Sequence, residues 1–187
     1  SASLVGSEMC IRDSMYIYGE KIVLRALENE DNEMLLNLIN DPKTEELLGG
    51  SSWPVSESDQ RKWLERQEIN ASTLRCIIAI KEDLKNAIGT VILGEIDQKN
   101  GTGHIHIKMK QGNVRGKGYG TDAVKTMVKY AFDELRLHCV YANIISYNDV
   151  SVRLFERCGF QREGVLRDRI YKGGRYVDEL SYSIINQ

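Results

Sequence analysis

The chain predicts an α/β (α+β) fold: a mixed, mostly antiparallel central sheet of about six to seven strands, flanked by about four helices. Leu74–Ile80 and the runs 87–96 and 103–110 read as successive strands, and Asn100-Gly101 is a hairpin turn signal, so these three form an antiparallel meander. A long amphipathic helix, running from a glycine-rich stretch to Leu135, is followed by another strand at 138–145. Strand, helix, strand in that order implies a right-handed crossover. A length of 187 residues suits one well-buried domain and is short for two.

The other elements follow in chain order. Residues 1–14 lack periodicity and read as a non-native or undefined leader, the alternative being an arm that packs on a neighbour; 15–187 reads as a single domain. The β-branched run 21–27 suits a first strand, and the acidic residues 28–31 after it favour a helix start. Met34, Leu35, Leu38 and Ile39 recur at helical spacing until Asn40-Asp41-Pro42 stops them. A short helical piece covers 43–48, and a polar helix 59–67 follows a Ser, Gly, Trp and Pro stretch. Trp53 in that stretch suits either a substrate lid or an anchor on the core. Strands 161–166 and 176–185 close the chain.

A net charge of −2 and a pI near 6.0 disfavour a nucleic-acid partner. No apolar run approaches the roughly 18 residues of a membrane span, and no signal-peptide pattern is visible, so a cytoplasmic protein is expected. Cys10, Cys76, Cys139 and Cys158 are widely spaced, which argues against a disulfide scaffold and a zinc knuckle; Cys76 reads as a small buried apolar residue. No metal site is expected.

The informative stretch is Arg115-Gly116-Lys117-Gly118-Tyr119-Gly120-Thr121, running directly into the long helix. Three alternating glycines bury no side chain and add chain entropy, but they let a ligand approach the backbone. A glycine loop opening a helix aims unpaired amides and the positive dipole end outward, which makes a cradle for an anion such as phosphate. The spacing fits neither a Walker loop nor a dinucleotide fingerprint. A second motif, Asn148 to Phe160, reads as an Asn cap, a short amphipathic helix and a Gly159 stop.

The Arg-x-x-Gly-x-Gly loop, followed by Asn148, Ser151, Phe155 and Gly159-Phe160, resembles the GNAT superfamily of N-acetyltransferases. Leu24-Arg25-Ala26-Leu27 and Gly164-Val165-Leu166-Arg167-Asp168 are similar to its branch of ribosomal-protein N-terminal and spermidine acetyltransferases. The resemblance implies a sheet splayed between the strands 103–110 and 138–145, with acetyl-CoA as cosubstrate. It implies that Ile107, Lys108 and Met109 meet the pantetheine arm, and that the amides of Arg115, Gly116, Lys117, Gly118, Tyr119, Gly120 and Thr121 hold the pyrophosphate. Asn148, Ser151 and Phe155 complete the implied cofactor set, and a homodimer is implied as possible, through an edge or face of 176–185.

The resemblance implies an amine acceptor, either a protein N-terminus or a small amine. Strand alternation puts His104, His106, Lys108 and Lys110 on one face, so His104 or His106 can take a proton; each also suits a plain strand histidine. Phe155 stands where the family often has a tyrosine that protonates the leaving thiolate, so Tyr147 or solvent must serve, or the thiolate leaves unaided. A polyamine acceptor would want carboxylates, which Glu45, Glu46, Glu57 and Asp59 could supply. A CoA-binding sensor without catalysis is the reading from another class. No cysteine adjoins the loop and no nucleophile–base pair is legible, so direct attack in a ternary complex is expected.

Overall fold

The computed structural model describes residues 15–49, 53–68 and 70–187, so the leader assigned to 1–14 lies outside the described residues. The strands are β1 (Ile17–Tyr18), β2 (Ile22–Arg25), β3 (Leu74–Ile80), β4 (Asp83–Asp97), β5 (Thr102–Met109), β6 (Cys139–Ile145), β7 (Gln161–Lys172) and β8 (Arg175–Ile185). They form one sheet in the order β1-β2-β3-β4-β5-β6-β8-β7, antiparallel at every neighbour except β5 and β6. The mixed, mostly antiparallel sheet expected from sequence is therefore present. Its eighth strand, β1, is two residues long and too short to leave a periodic signal.

The helices are α1 (Asn32–Ile39), α2 (Pro42–Glu46), α3 (Glu57–Glu65), α4 (Tyr119–Asp133) and α5 (Asp149–Arg157). Pro42 opens α2 rather than only ending α1, because a proline costs no hydrogen bond in the first turn and Asp41 caps Thr44. Ser56 accepts from the Asp59 amide, so α3 starts two residues earlier than its polar run suggested. One sheet face packs Ile77 and Ala87 against Met34, Leu35, Leu38 and Leu64 of α1 and α3. The other buries Ile22, Leu24, Ile78, Val91 and Ile105 under α4 and Phe155 of α5.

Strand β7 runs six residues past its expected end at Leu166. A register shift between Leu166 and Ile170 carries it onward, with Asp168 at φ +50° and its amide bonded to Asp178 Oδ1 at 2.9 Å. Strand β8 lies between β6 and β7, so the free edge expected of 176–185 is not there; β7 is the edge strand. Trp53 is 75% exposed, which rules out its role as a core anchor. Among the described residues, no helix is long and apolar enough to cross a membrane.

Candidate active site

The one parallel pair of the sheet is short for the length of its strands. β5 and β6 pair only at Thr102 with Cys139, Gly103 with Val140 and His104 with Tyr141. The amides of His138 and Cys139 share the Gly101 carbonyl, at 2.7 and 2.9 Å, and pin the two strands at that end. Beyond His104 they part, and residues 105–109 lose a partner strand on that side. Two connected lobes of about 280 and 350 Å³ occupy the gap, and Leu47, Leu48, Ile107, Lys108, Asn148 and Ser151 line both.

The first lobe lies at the glycine loop. It is lined by Arg115, Gly116, Gly118, Tyr119, Gly120 and Thr121, with Met109 at its side. Gly118 caps α4 in the left-handed region, at φ +84°, and offers no side-chain cap. The first-turn amides of α4 are therefore left to an outside acceptor. Gly116, at φ +76°, faces open space: a Cβ there would meet nothing within 4 Å. Gly120 differs, because its missing side chain points at Leu154 and Ile107 at ordinary contact distances of 3.8 and 3.9 Å. Its small size serves helix packing as well as ligand approach. Lys117 does not line the lobe; its carbonyl accepts from the Lys21 ammonium at 3.1 Å.

The second lobe carries the titratable groups. His104 is 8% exposed, with its ring stacked on Tyr141 at 4.6 Å and 3.9 Å from the ring of His106. Neither of its ring nitrogens has a hydrogen bond among the described residues, although Nδ1 lies 3.6 Å from Glu95 Oε1. Glu95 adopts φ +50° and accepts the Tyr141 hydroxyl at 2.7 Å. That bond, with lesser help from His104, holds the Glu95 carboxyl below its usual range, while desolvation pulls the other way. The same contact sends the Tyr141 hydroxyl up to about 12, after the larger effect of desolvation. His106 is pushed down to about 4, by desolvation first and by His104 second.

Glu179, which nothing in the sequence singled out, also lines this lobe. Its place follows from register: it pairs with Ile145 of β6 and Leu166 of β7, which puts a mid-strand carboxylate at the mouth of the gap. Desolvation raises its pKa, and His104 and Arg169 partly offset the rise. A Glu in an otherwise apolar-alternating last strand was the only available signal.

Asn148 lines both lobes, yet its side chain is committed: Oδ1 caps the Ser151 amide at 3.1 Å and Nδ2 donates to the Leu47 carbonyl at 3.0 Å. Ser151 keeps a hydroxyl that forms no hydrogen bond among the described residues. Phe155 is a buried wall of the second lobe, edge-on to Phe160 at 5.0 Å. Tyr147 lines neither lobe, and its hydroxyl donates to the Glu46 carbonyl at 2.8 Å. Cys76 is 4% exposed, and burial pushes its thiol up to about 12. No cluster of three or more His, Cys, Asp or Glu with metal-binding geometry occurs among the described residues.

Comparison with known proteins agrees with this geometry. Residues 21–161 match the family model described as an acetyltransferase (GNAT) domain. The chain is 30% identical over 175 residues to the SPbeta prophage-derived uncharacterized N-acetyltransferase YokL of Bacillus subtilis (strain 168), covering 92% of this chain and 94% of that one. It is 30% identical over 161 residues to the spermidine N(1)-acetyltransferase of Vibrio cholerae, covering 84% and 89% of the two chains. A crystal structure of spermidine N-acetyltransferase from Vibrio cholerae in complex with CoA and spermine superposes with a TM-score of 0.80 at 26% identity, covering 88% of this chain and 95% of that one. A family match over most of the chain, and a splayed sheet with a glycine-opened helix at the splay, lead to one assignment: the chain belongs to the GNAT acetyltransferase family.

Proposed function

We propose that the protein moves an acetyl group from acetyl-CoA to a primary amine, by direct attack while both substrates are bound. The observation that carries this is the two-lobed gap, with uncapped helix amides in one lobe and a buried histidine beside a carboxylate in the other. The exchange forms one N–C bond and breaks one C–S bond; the sulfur keeps the bonding electron pair, and the amine gives up one proton.

The chain's own residues fit these needs. The α4 amides and Arg115 suit a pyrophosphate, and the unpaired edge of β5 suits an amide-bearing arm. For the proton, an α-ammonium of pKa about 7.8 needs a base that is not too weak. His106, held near 4, is poorly matched. Glu179, shifted upward by burial, is the better acceptor, and His104 beside Glu95 and Tyr141 offers a way out to solvent. Tyr147 can act as the acid only after giving up its bond to Glu46.

A polyamine acceptor is favoured by the spermidine acetyltransferase relatives. Against it, Glu57 pairs with Arg61, Asp59 bonds Ser56, Glu45 bonds Lys172, and none of these nor Glu46 lines either lobe. Initial-rate kinetics with amines and peptides test the core reading. Intersecting double-reciprocal lines are expected; parallel lines, or an acetylated protein trapped without acceptor, would overturn direct attack. Binding of acetyl-CoA with no turnover of any amine would favour a sensor.

A further inference from the structure

Beside the second lobe lies a separate cavity of about 270 Å³, between α1, α3 and the sheet. Its walls include Leu35, Leu38, Trp63 and Ile92; among the described residues its charged lining residues are Arg75 and Lys108, and no Asp or Glu lines it. The rim is built rather than loose: Asn40 donates to the Val55 carbonyl at 2.8 Å and accepts the Val55 amide at 2.9 Å. Gln60 lines the cavity, and its side-chain amide forms no hydrogen bond among the described residues, so it is open to a polar partner there.

Lys108 joins this cavity to both lobes of the active site. Its register partner is Thr90, another cavity-lining residue. The Lys108 ammonium makes no hydrogen bond or ion pair among the described residues, and desolvation lowers its pKa. A half-desolvated cation beside an apolar cavity is stabilised by an incoming anion. The same cation, with Arg75, repels a polycationic acceptor.

Building on the acetyltransferase reading, we propose that the acceptor is a free α-amino acid with a large, mainly apolar side chain, its side chain in this cavity and its carboxylate on Lys108. Amine and carboxylate sit on one carbon, so a carboxylate at Lys108 brings the α-amine to the end of the β5 gap where the two lobes meet. Gln60 meets a polar edge such as an indole N–H. A peptide N-terminus puts an uncharged carbonyl where this carboxylate lies, and spermidine puts a second cation there. The transfer is the one written above, with the α-amine as nucleophile.

Calorimetric titration of L-leucine, L-tryptophan, L-leucinamide and spermidine into the full chain, with and without CoA, tests this, followed by turnover with acetyl-CoA. L-leucine or L-tryptophan is expected to bind at least tenfold more tightly than L-leucinamide or spermidine. Lys108→Met should bring leucine and leucinamide within about twofold of each other. Val55→Trp, at the rim, should weaken tryptophan without weakening glycine. Spermidine or leucinamide binding as tightly as leucine, or no heat with either amino acid, would overturn the acceptor class. Turnover of spermidine or peptides alone would also overturn it and leave the acetyltransferase reading standing. Loss of the wider reading shows separately, as failure to bind acetyl-CoA.

Discussion

Asp122 and Lys21 lock the first long strand onto the glycine-loop helix. The Lys21 amide donates to Asp122 Oδ2 at 2.7 Å, and the Lys21 ammonium donates to the Lys117 carbonyl at 3.1 Å. The Asp122 carboxylate also accepts the amides of Glu20 and Ile22, at 3.1 and 3.0 Å. Gly19 has to be glycine for this, since a Cβ there would lie 2.7 Å from Asp122 Oδ2. The glycine loop and its helix are thus tied to backbone amides about 100 residues away in sequence.

Asp122→Ala removes the acceptor of three backbone amides and a favourable charge in the first turn of α4. It should cost about 2 kcal/mol of stability, read as a lower urea midpoint with unchanged slope. An unchanged midpoint would count against the lock.

Gly118→Val puts a β-branched residue at φ +84° and a side chain at the cradle, so acetyl-CoA affinity should fall at least tenfold by calorimetry. Gly120→Ala is the contrast, because its Cβ meets Leu154 and Ile107 only at contact distance; affinity there should stay within a few-fold. Equal losses in both would mean that the loop acts by packing rather than by approach to the ligand.

Glu179→Gln should lower kcat by roughly a hundredfold, with acetyl-CoA affinity preserved. The wild-type rate should fall as pH drops through a carboxyl pKa above the ordinary 4.5, because the proton-accepting form is lost there, and the variant should lack that acid limb. Full activity in the variant moves the role to His104, and full activity in His104→Gln as well would remove the pair.

His106 has a folded pKa of about 4 against 6.5 for the free side chain. Between those values the unfolded chain binds the extra proton, so the fold loses stability as pH falls from about 6.5 toward about 4. The side chain is exposed, so screening trims the effect. His106→Gln should flatten this part of the stability profile in urea titrations at stepped pH; a profile unchanged from wild type would mean that the shift is absent.

Local chemistry in the sequence was enough for most strands and helices, for the glycine cradle and for the Asn148 cap, because period, turn residues and capping act over a few neighbours. Sequence also identified Cys76 as core and placed His104 on a strand. Only the tertiary structure decided which groups share the second lobe. His104 and Glu179 line it while Glu95 and Tyr141 stand behind His104; the four come from four strands, and their meeting depends on sheet order and register rather than on spacing. Tertiary packing likewise tied Tyr147 to Glu46 and left an apolar cavity lined by Arg75 and Lys108 beside the gap. Proximity between distant strands is set by how the faces bury, which no short window of sequence contains.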